Sequence, residues 1–201
     1  MNQYKNPFLY LMYALIIVGG VLVIFFNKGD MVLYLNIHHN KIADIFFKYI
    51  TFLGDGLMLI PFFLILVFRS KKESIQLLSI SLFVLLLSQG LKKSLFSGML
   101  RPTAFLGKDI EWNFVEGVTV VTNNTFPSGH TLTAFAIFFF ASLLINKKWA
   151  FITGFLLALS VAISRVYLLQ HFFIDVYFGA ILGVLAVYIG LKVTKQFRFL
   201  K

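Results

Sequence analysis

Cysteine is absent from the 201 residues of this chain, which rules out disulfides and thiolate chemistry and leaves the redox compartment open. Acids are scarce: eight Asp and Glu stand against 18 Lys and Arg. There is no hydrophilic stretch long enough to fold as a second domain, no heptad repeat, and no Gly/Ser-rich or Pro-rich linker. Residues 1–201 therefore read as one domain. His-Glu-x-x-His is missing as well, so the sequence offers no metallohydrolase helix.

What the chain does hold is apolar. Hydrophobic residues make up 59% of it, 25 residues are Phe, and mean hydropathy is +0.87, beyond the range of a soluble domain. Six runs, at about 8–26, 50–68, 74–91, 129–145, 149–169 and 172–191, are each near the length that crosses a hydrocarbon core. Helices are expected, because a segment in lipid must satisfy its own backbone groups. The predicted fold is all-α, a bundle of six transmembrane helices. The first run lacks a small-residue cleavage site after its apolar centre and reads as a retained anchor. The second is interrupted by Gly54-Asp55-Gly56, and Pro61 is expected to kink it.

With six spans both termini share one side. That side carries Lys5, Arg69, Lys71, Lys72, Lys147, Lys148, Lys192, Lys195, Arg198 and Lys201 against Glu73 alone. The other side has Lys28, Lys41, Lys48, Lys92, Lys93, Arg101, Lys108 and Arg165, balanced by the remaining acids. Short loops rich in Lys and Arg stay in the cytoplasm, so the first side is cytoplasmic. The net charge of +10 then reports topology and not a nucleic-acid partner.

Between the first two runs, Ile42, Ile45, Phe46, Tyr49 and Ile50 recur at helical spacing with Lys41, Asp44 and Lys48 among them. This predicts an amphipathic helix, either lying in the membrane interface, where it would guide a lipid to a site, or packing between two spans. His38 and His39 beside it have no metal-ligand spacing to another His or a carboxylate.

Three polar stretches fall on the outer side: Lys92-Lys93 to Arg101-Pro102, Phe126 to His130, and Ser164 to Asp175. Ionisable groups at membrane depth are costly and usually functional. His171 and Asp175, four apart, share a face if the last helix starts near residue 171. The carboxylate would then fix the tautomer of an imidazole acting as base or nucleophile, unless the pair is a structural staple. Pro127-Ser128-Gly129-His130 suits a helix start whose free N–H groups bind an anion, with His130 within proton-transfer reach; an ordinary cap has the same composition. Arg101 and Arg165 can fork onto phosphoryl oxygens, or snorkel to lipid headgroups like Lys92 and Lys93.

Together these residues resemble the type 2 phosphatidic acid phosphatase superfamily, whose pattern is Lys-x6-Arg-Pro, then Pro-Ser-Gly-His, then Ser-Arg-x5-His-x3-Asp. The second and third blocks match in full at Pro127–His130 and Ser164–Asp175. The first departs: Ser94 stands where the family has Lys, and Lys93 gives Lys-x7-Arg-Pro. The resemblance assigns the lysine role to Lys93, with Lys92 as the alternative.

The resemblance implies an integral-membrane lipid phosphatase. His171 would attack phosphorus to form a phosphohistidine, Asp175 would orient it, and His130 would protonate the leaving oxygen and then activate water. Lys93, Arg101, Ser128, Gly129 and Arg165 would hold the phosphoryl oxygens. No metal or cofactor is implied. Partners would be the bilayer and a lipid phosphate: undecaprenyl diphosphate, phosphatidylglycerol phosphate, phosphatidic acid or a lipid A phosphate. A bacterial inner membrane follows from the same likeness, while the charge count puts the site on the outer side; the oligomeric state follows from neither. A phosphotransferase using the same intermediate and a non-catalytic lipid-binding or transport protein are the competing readings.

Overall fold

The structure, a computed structural model, describes residues 6–107 and 109–196. Lys5, Lys108, Arg198 and Lys201 of the charge pattern lie outside them. Among the described residues every regular element is helical. The first helix, α1 (Pro7–Phe25), starts on an Asn6 cap whose Oδ1 accepts from the Phe8 and Leu9 amides at 3.1 and 3.4 Å, with Pro7 in the first turn, where its missing N–H costs nothing.

Two short helices follow where the sequence predicts one: α2 (Asp30–Ile37) and α3 (Lys41–Ile50). The latter is the amphipathic segment, and its apolar stripe is left uncovered by protein: Ile42, Ile45, Phe46 and Tyr49 are all exposed. That is the arrangement of a helix whose apolar side meets something other than its own chain.

The second span differs from expectation. Residues 51–58 form two 3-10 turns around Asp55, and α4 runs only from Leu59 to Arg69, so the helix begins near 59 and not near 50. The limbs Lys41–Gly54 and Gly56–Arg69 meet at 57°. Gly54 explains the break. A Cβ there would sit 2.5 Å from the carbonyl oxygen of His130 and 2.6 Å from Val161, so the chain passes against the neighbouring helices at a spacing only glycine permits. Pro61 lies in the first turn of α4, where no intrahelical N–H is owed.

After Arg69 the chain turns into α5 (Lys71–Leu85), which continues through a π turn at Leu86–Gly90 into α6 (Leu91–Lys93). A short helix, α7 (Pro102–Leu106), precedes a long connection to α8 (Gly129–Ile145), α9 (Lys148–Tyr167) and α10 (Phe173–Lys195). Among the described residues four helical stretches are long and apolar enough to cross a membrane: Pro7–Phe25, Lys71–Lys93, Lys148–Tyr167 and Phe173–Lys195. The bent pair makes a fifth crossing if taken as one span; Gly129–Ile145 is apolar but shorter.

That shorter helix is the centre of the bundle, packed on α5, α9 and α10, with ten of its 17 residues buried. A helix surrounded by protein has no polar face to show, which is why its sequence is apolar all round. Small residues let the neighbours approach: Gly183 of α10 lies where a Cβ would meet the Leu132 carbonyl oxygen at 2.5 Å, and Gly154 of α9 where it would meet Ser142 Oγ at 2.5 Å. The remaining space is filled by rings, with Phe8 edge-on to Phe135 and Phe155 and tilted against Phe139.

Candidate active site

The start of α8 and the start of α10 meet at one end of the bundle. Ser128 is the N-cap of α8: extended, fully buried, its Oγ accepting from the Thr131 amide at 3.4 Å and the Thr131 hydroxyl at 2.9 Å. Its amide donates to the Asp175 carbonyl at 3.1 Å, which ties the two helix ends together. Gly179, one turn beyond Asp175, makes room for this, since a Cβ there would lie 2.9 Å from the Ser128 carbonyl oxygen.

His171 stands outside α10, which begins at Phe173 and not at residue 171. It belongs to a turn that folds over the end of α9. Leu169 takes a left-handed conformation (φ 60°), and the amides of Gln170 and His171 both donate to the Arg165 carbonyl at 3.0 Å. Asp175 Oδ2 then receives the Phe172 amide at 2.9 Å and the Thr125 hydroxyl, and lies 3.5 Å from His171 Nδ1. A carboxylate in the first turn also complements the positive end of the helix. Thr125 Oγ1 is 3.4 Å from the same ring nitrogen. Nothing in the sequence pattern pointed to Thr125, because no family block or period includes it.

His171 is 1% exposed. Burial, reinforced by the positive charges of Arg101, Arg165 and Lys92, holds its pKa well below the ordinary histidine value. Its imidazole is therefore neutral at physiological pH, with Nδ1 turned to Asp175 and Thr125.

Beside it a cavity of about 790 Å³ opens, lined among others by Lys48, Lys92, Arg101, Gly129, His130 and Arg165. Arg101 is anchored by Nε on the Asn123 carbonyl at 2.9 Å and by Nη1 on Gln170 Oε1 at 2.6 Å, and Gln170 is itself held by the Thr119 carbonyl at 2.9 Å. Desolvation lowers the pKa of Arg101, an effect Asp175 opposes. Arg165 donates through Nη1 to Thr51 Oγ1 at 2.8 Å, while its buried Nε has no partner. His130 Nε2 lies 3.8 Å from Asp55 Oδ2, whose other oxygen accepts the Leu57 amide at 2.9 Å. Thr51 and Asp55 thus meet predicted site residues from a segment outside the three motif stretches, while Gln170 anchors Arg101 from within the third.

Four of the predicted site residues do not line the cavity. Lys93 is exposed and does not line the cavity; Lys92 does, so the lysine facing the site stands in a Lys-x8-Arg-Pro spacing. One residue is about 100° of helical rotation, which turns Lys93 away, and the turn at 94–98 takes up the extra length. The Ser128 hydroxyl is engaged in capping and lies off the cavity surface, as do His171 and Asp175; the chain neighbours of His171, Leu168 and Gln170, line it. Among the described residues no three His, Cys, Asp or Glu side chains gather as a metal-ion cage would require.

The model of the PAP2 superfamily matches residues 73–199. Among solved structures, LpxE from Aquifex aeolicus is 28% identical with a TM-score of 0.70, the match covering 84% of this chain and 97% of that one. The first transmembrane PAP2-type phosphatidylglycerolphosphate phosphatase from Bacillus subtilis is 23% identical with a TM-score of 0.66, covering 98% of this chain and 100% of that one, a likeness of fold. No curated protein sequence matches.

Proposed function

The chain belongs to the PAP2 superfamily, as a membrane-embedded hydrolase of phosphoric esters, and we propose that it dephosphorylates a lipid phosphate through a phosphohistidine on His171. The supporting observation is that Lys92, Arg101, Arg165 and His130 line one cavity beside the braced His171–Asp175 pair.

His171 Nε2 attacks phosphorus in line, and the bond to the lipid oxygen breaks as that oxygen takes a proton from His130. Asp175 accepts from Nδ1–H and stabilises the positive ring of the phosphohistidine, with Thr125 as a second brace. Water then gives its proton to His130 and attacks phosphorus. The P–N bond breaks, its electron pair returning to Nε2, and inorganic phosphate leaves. Lys92, Arg101, Arg165 and the amides at the start of α8 spread the charge of the transferring group, the main demand of phosphoryl transfer. Asp55, 3.8 Å from His130 Nε2, favours the protonated ring electrostatically.

The substrate class is a lipid phosphate monoester or diphosphate. Counting the broken pair and α8, the chain crosses an inner membrane six times with both termini in the cytoplasm and the site on the outer face. Phosphate release from a panel of lipid phosphates, wild type beside His171→Ala, tests the reaction. Loss on the order of 10³-fold or more is expected, and a variant that retains activity would leave only a lipid-binding role. Product that appears only when an acceptor is added would identify a transferase instead.

A further inference from the structure

Lys48 has no part in the chemistry above. It lies in the last turns of α3 and lines the same cavity as Lys92, Arg101 and Arg165. Its Nζ donates to the Glu116 carbonyl at 2.7 Å, which engages one of three ammonium donors. Among the described residues no carboxylate stands within ion-pair distance of it. The loop opposite is cut to fit: Gly117 has φ +73°, and a Cβ there would meet Nζ at 2.7 Å.

Charge makes the position informative. The cavity lining includes four cationic side chains and no Asp or Glu. Three of them, with backbone amides and His130, suffice for a single phosphoryl group, so Lys48 is in surplus. Its location is equally specific. Thr51, three residues on, holds Arg165 at 2.8 Å, and residues at that spacing are neighbours about 5–6 Å apart on one helical face. Lys48 therefore sits one turn before the residue that holds Arg165, and both cations line the same cavity.

Resting on the phosphatase reading above, we infer that Lys48 forms a second anion subsite, which makes a lipid diphosphate the preferred substrate over a lipid monophosphate. The terminal phosphoryl group passes to His171, the bridging oxygen leaves with the lipid monophosphate, and the Lys48 ammonium neutralises the charge that collects there. Water completes the cycle, giving inorganic phosphate and lipid monophosphate. Lys48 acts on the leaving group, so its effect scales with the second phosphate and not with binding of the first.

The experiment compares initial phosphate release from a prenyl diphosphate and from the prenyl monophosphate of the same chain, in the same detergent micelles, for wild type, Lys48→Gln and Lys48→Arg. Wild type should favour the diphosphate in kcat/KM. Lys48→Gln should reduce that preference about tenfold or more, the scale of a lost charge-assisted hydrogen bond, and Lys48→Arg should restore most of it. Inorganic pyrophosphate should likewise inhibit wild type more strongly than orthophosphate, with the difference shrinking in Lys48→Gln. An equal fall on both substrates would reduce Lys48 to a clip for the Glu116 loop and overturn the inference, as would an unaltered ratio. A wild type active on the monophosphate alone would overturn the subsite and leave the phosphatase reading standing; one inactive on every lipid phosphate would overturn both.

Discussion

Thr125 is the residue on which the geometry of the His171–Asp175 pair converges. Its hydroxyl lies against both Asp175 Oδ2 and His171 Nδ1, and it is fully buried. Thr125→Val keeps the shape and removes the hydroxyl, so the carboxylate loses a donor it cannot replace with water. We expect a loss of about 1–3 kcal/mol of stability, with kcat falling further than KM rises, measured by thermal unfolding in detergent and by steady-state kinetics. His171 adds a pH dependence whose sign is fixed by burial. Its folded-state pKa is held well below the ordinary value of 6.5, whereas the unfolded chain binds a proton near that value. Unfolding is thus favoured as pH falls through 6.5, by about 1 kcal/mol between pH 7 and 5.5. Comparing the unfolding of wild type and His171→Gln at those two pH values isolates this contribution; parallel pH trends would show that His171 is not buried neutral.

At the scale of elements, the site depends on how closely the starts of α8 and α10 approach. Gly179 permits the contact, with the Ser128 carbonyl 2.9 Å and Thr131 Cβ 3.2 Å from where a Cβ would be. Backbone cannot swing aside as a side chain tip can. Gly179→Ala should therefore push the Ser128–His130 segment away from the Asp175 end, costing about 1–3 kcal/mol and most of the activity. Normal turnover in this variant would mean that the α8–α10 spacing does not set the catalytic geometry. The broken helix at Gly54 works by the same logic from the other side, bringing Thr51 to Arg165 and Asp55 to His130. A continuous helix over 41–69 would hold neither.

For the whole molecule, the distribution of charge predicts orientation. Lys72 and Lys147 sit at the end of the bundle opposite the cavity, and Lys41 at the cavity end; all three are exposed. Because the chain has no cysteine, single cysteines at these positions report without background. In intact cells a membrane-impermeant maleimide should label Lys41→Cys and spare Lys72→Cys and Lys147→Cys. The reverse pattern would place the cavity on the cytoplasmic side and refute the outward-facing arrangement.

The sequence by itself determined the membrane character, the all-helical class and the residues of two motif blocks. Each has a local cause. Lipid demands apolar runs of fixed length, and a phosphoryl group demands cations, oriented imidazoles and free amides, which show as residue types at short spacing. Tertiary structure decided what local spacing cannot encode. It chose Lys92 over Lys93, because a helix end turns one of two adjacent side chains toward the cavity and the other away. It supplied Thr51 to Arg165 across 114 residues, Thr125 to Asp175 across 50, and Gln170 to Arg101 across 69. It also put Lys48 on the wall of the cavity that the motif cations line. Such contacts leave no period in a single chain, since their partners become neighbours only once the helices pack.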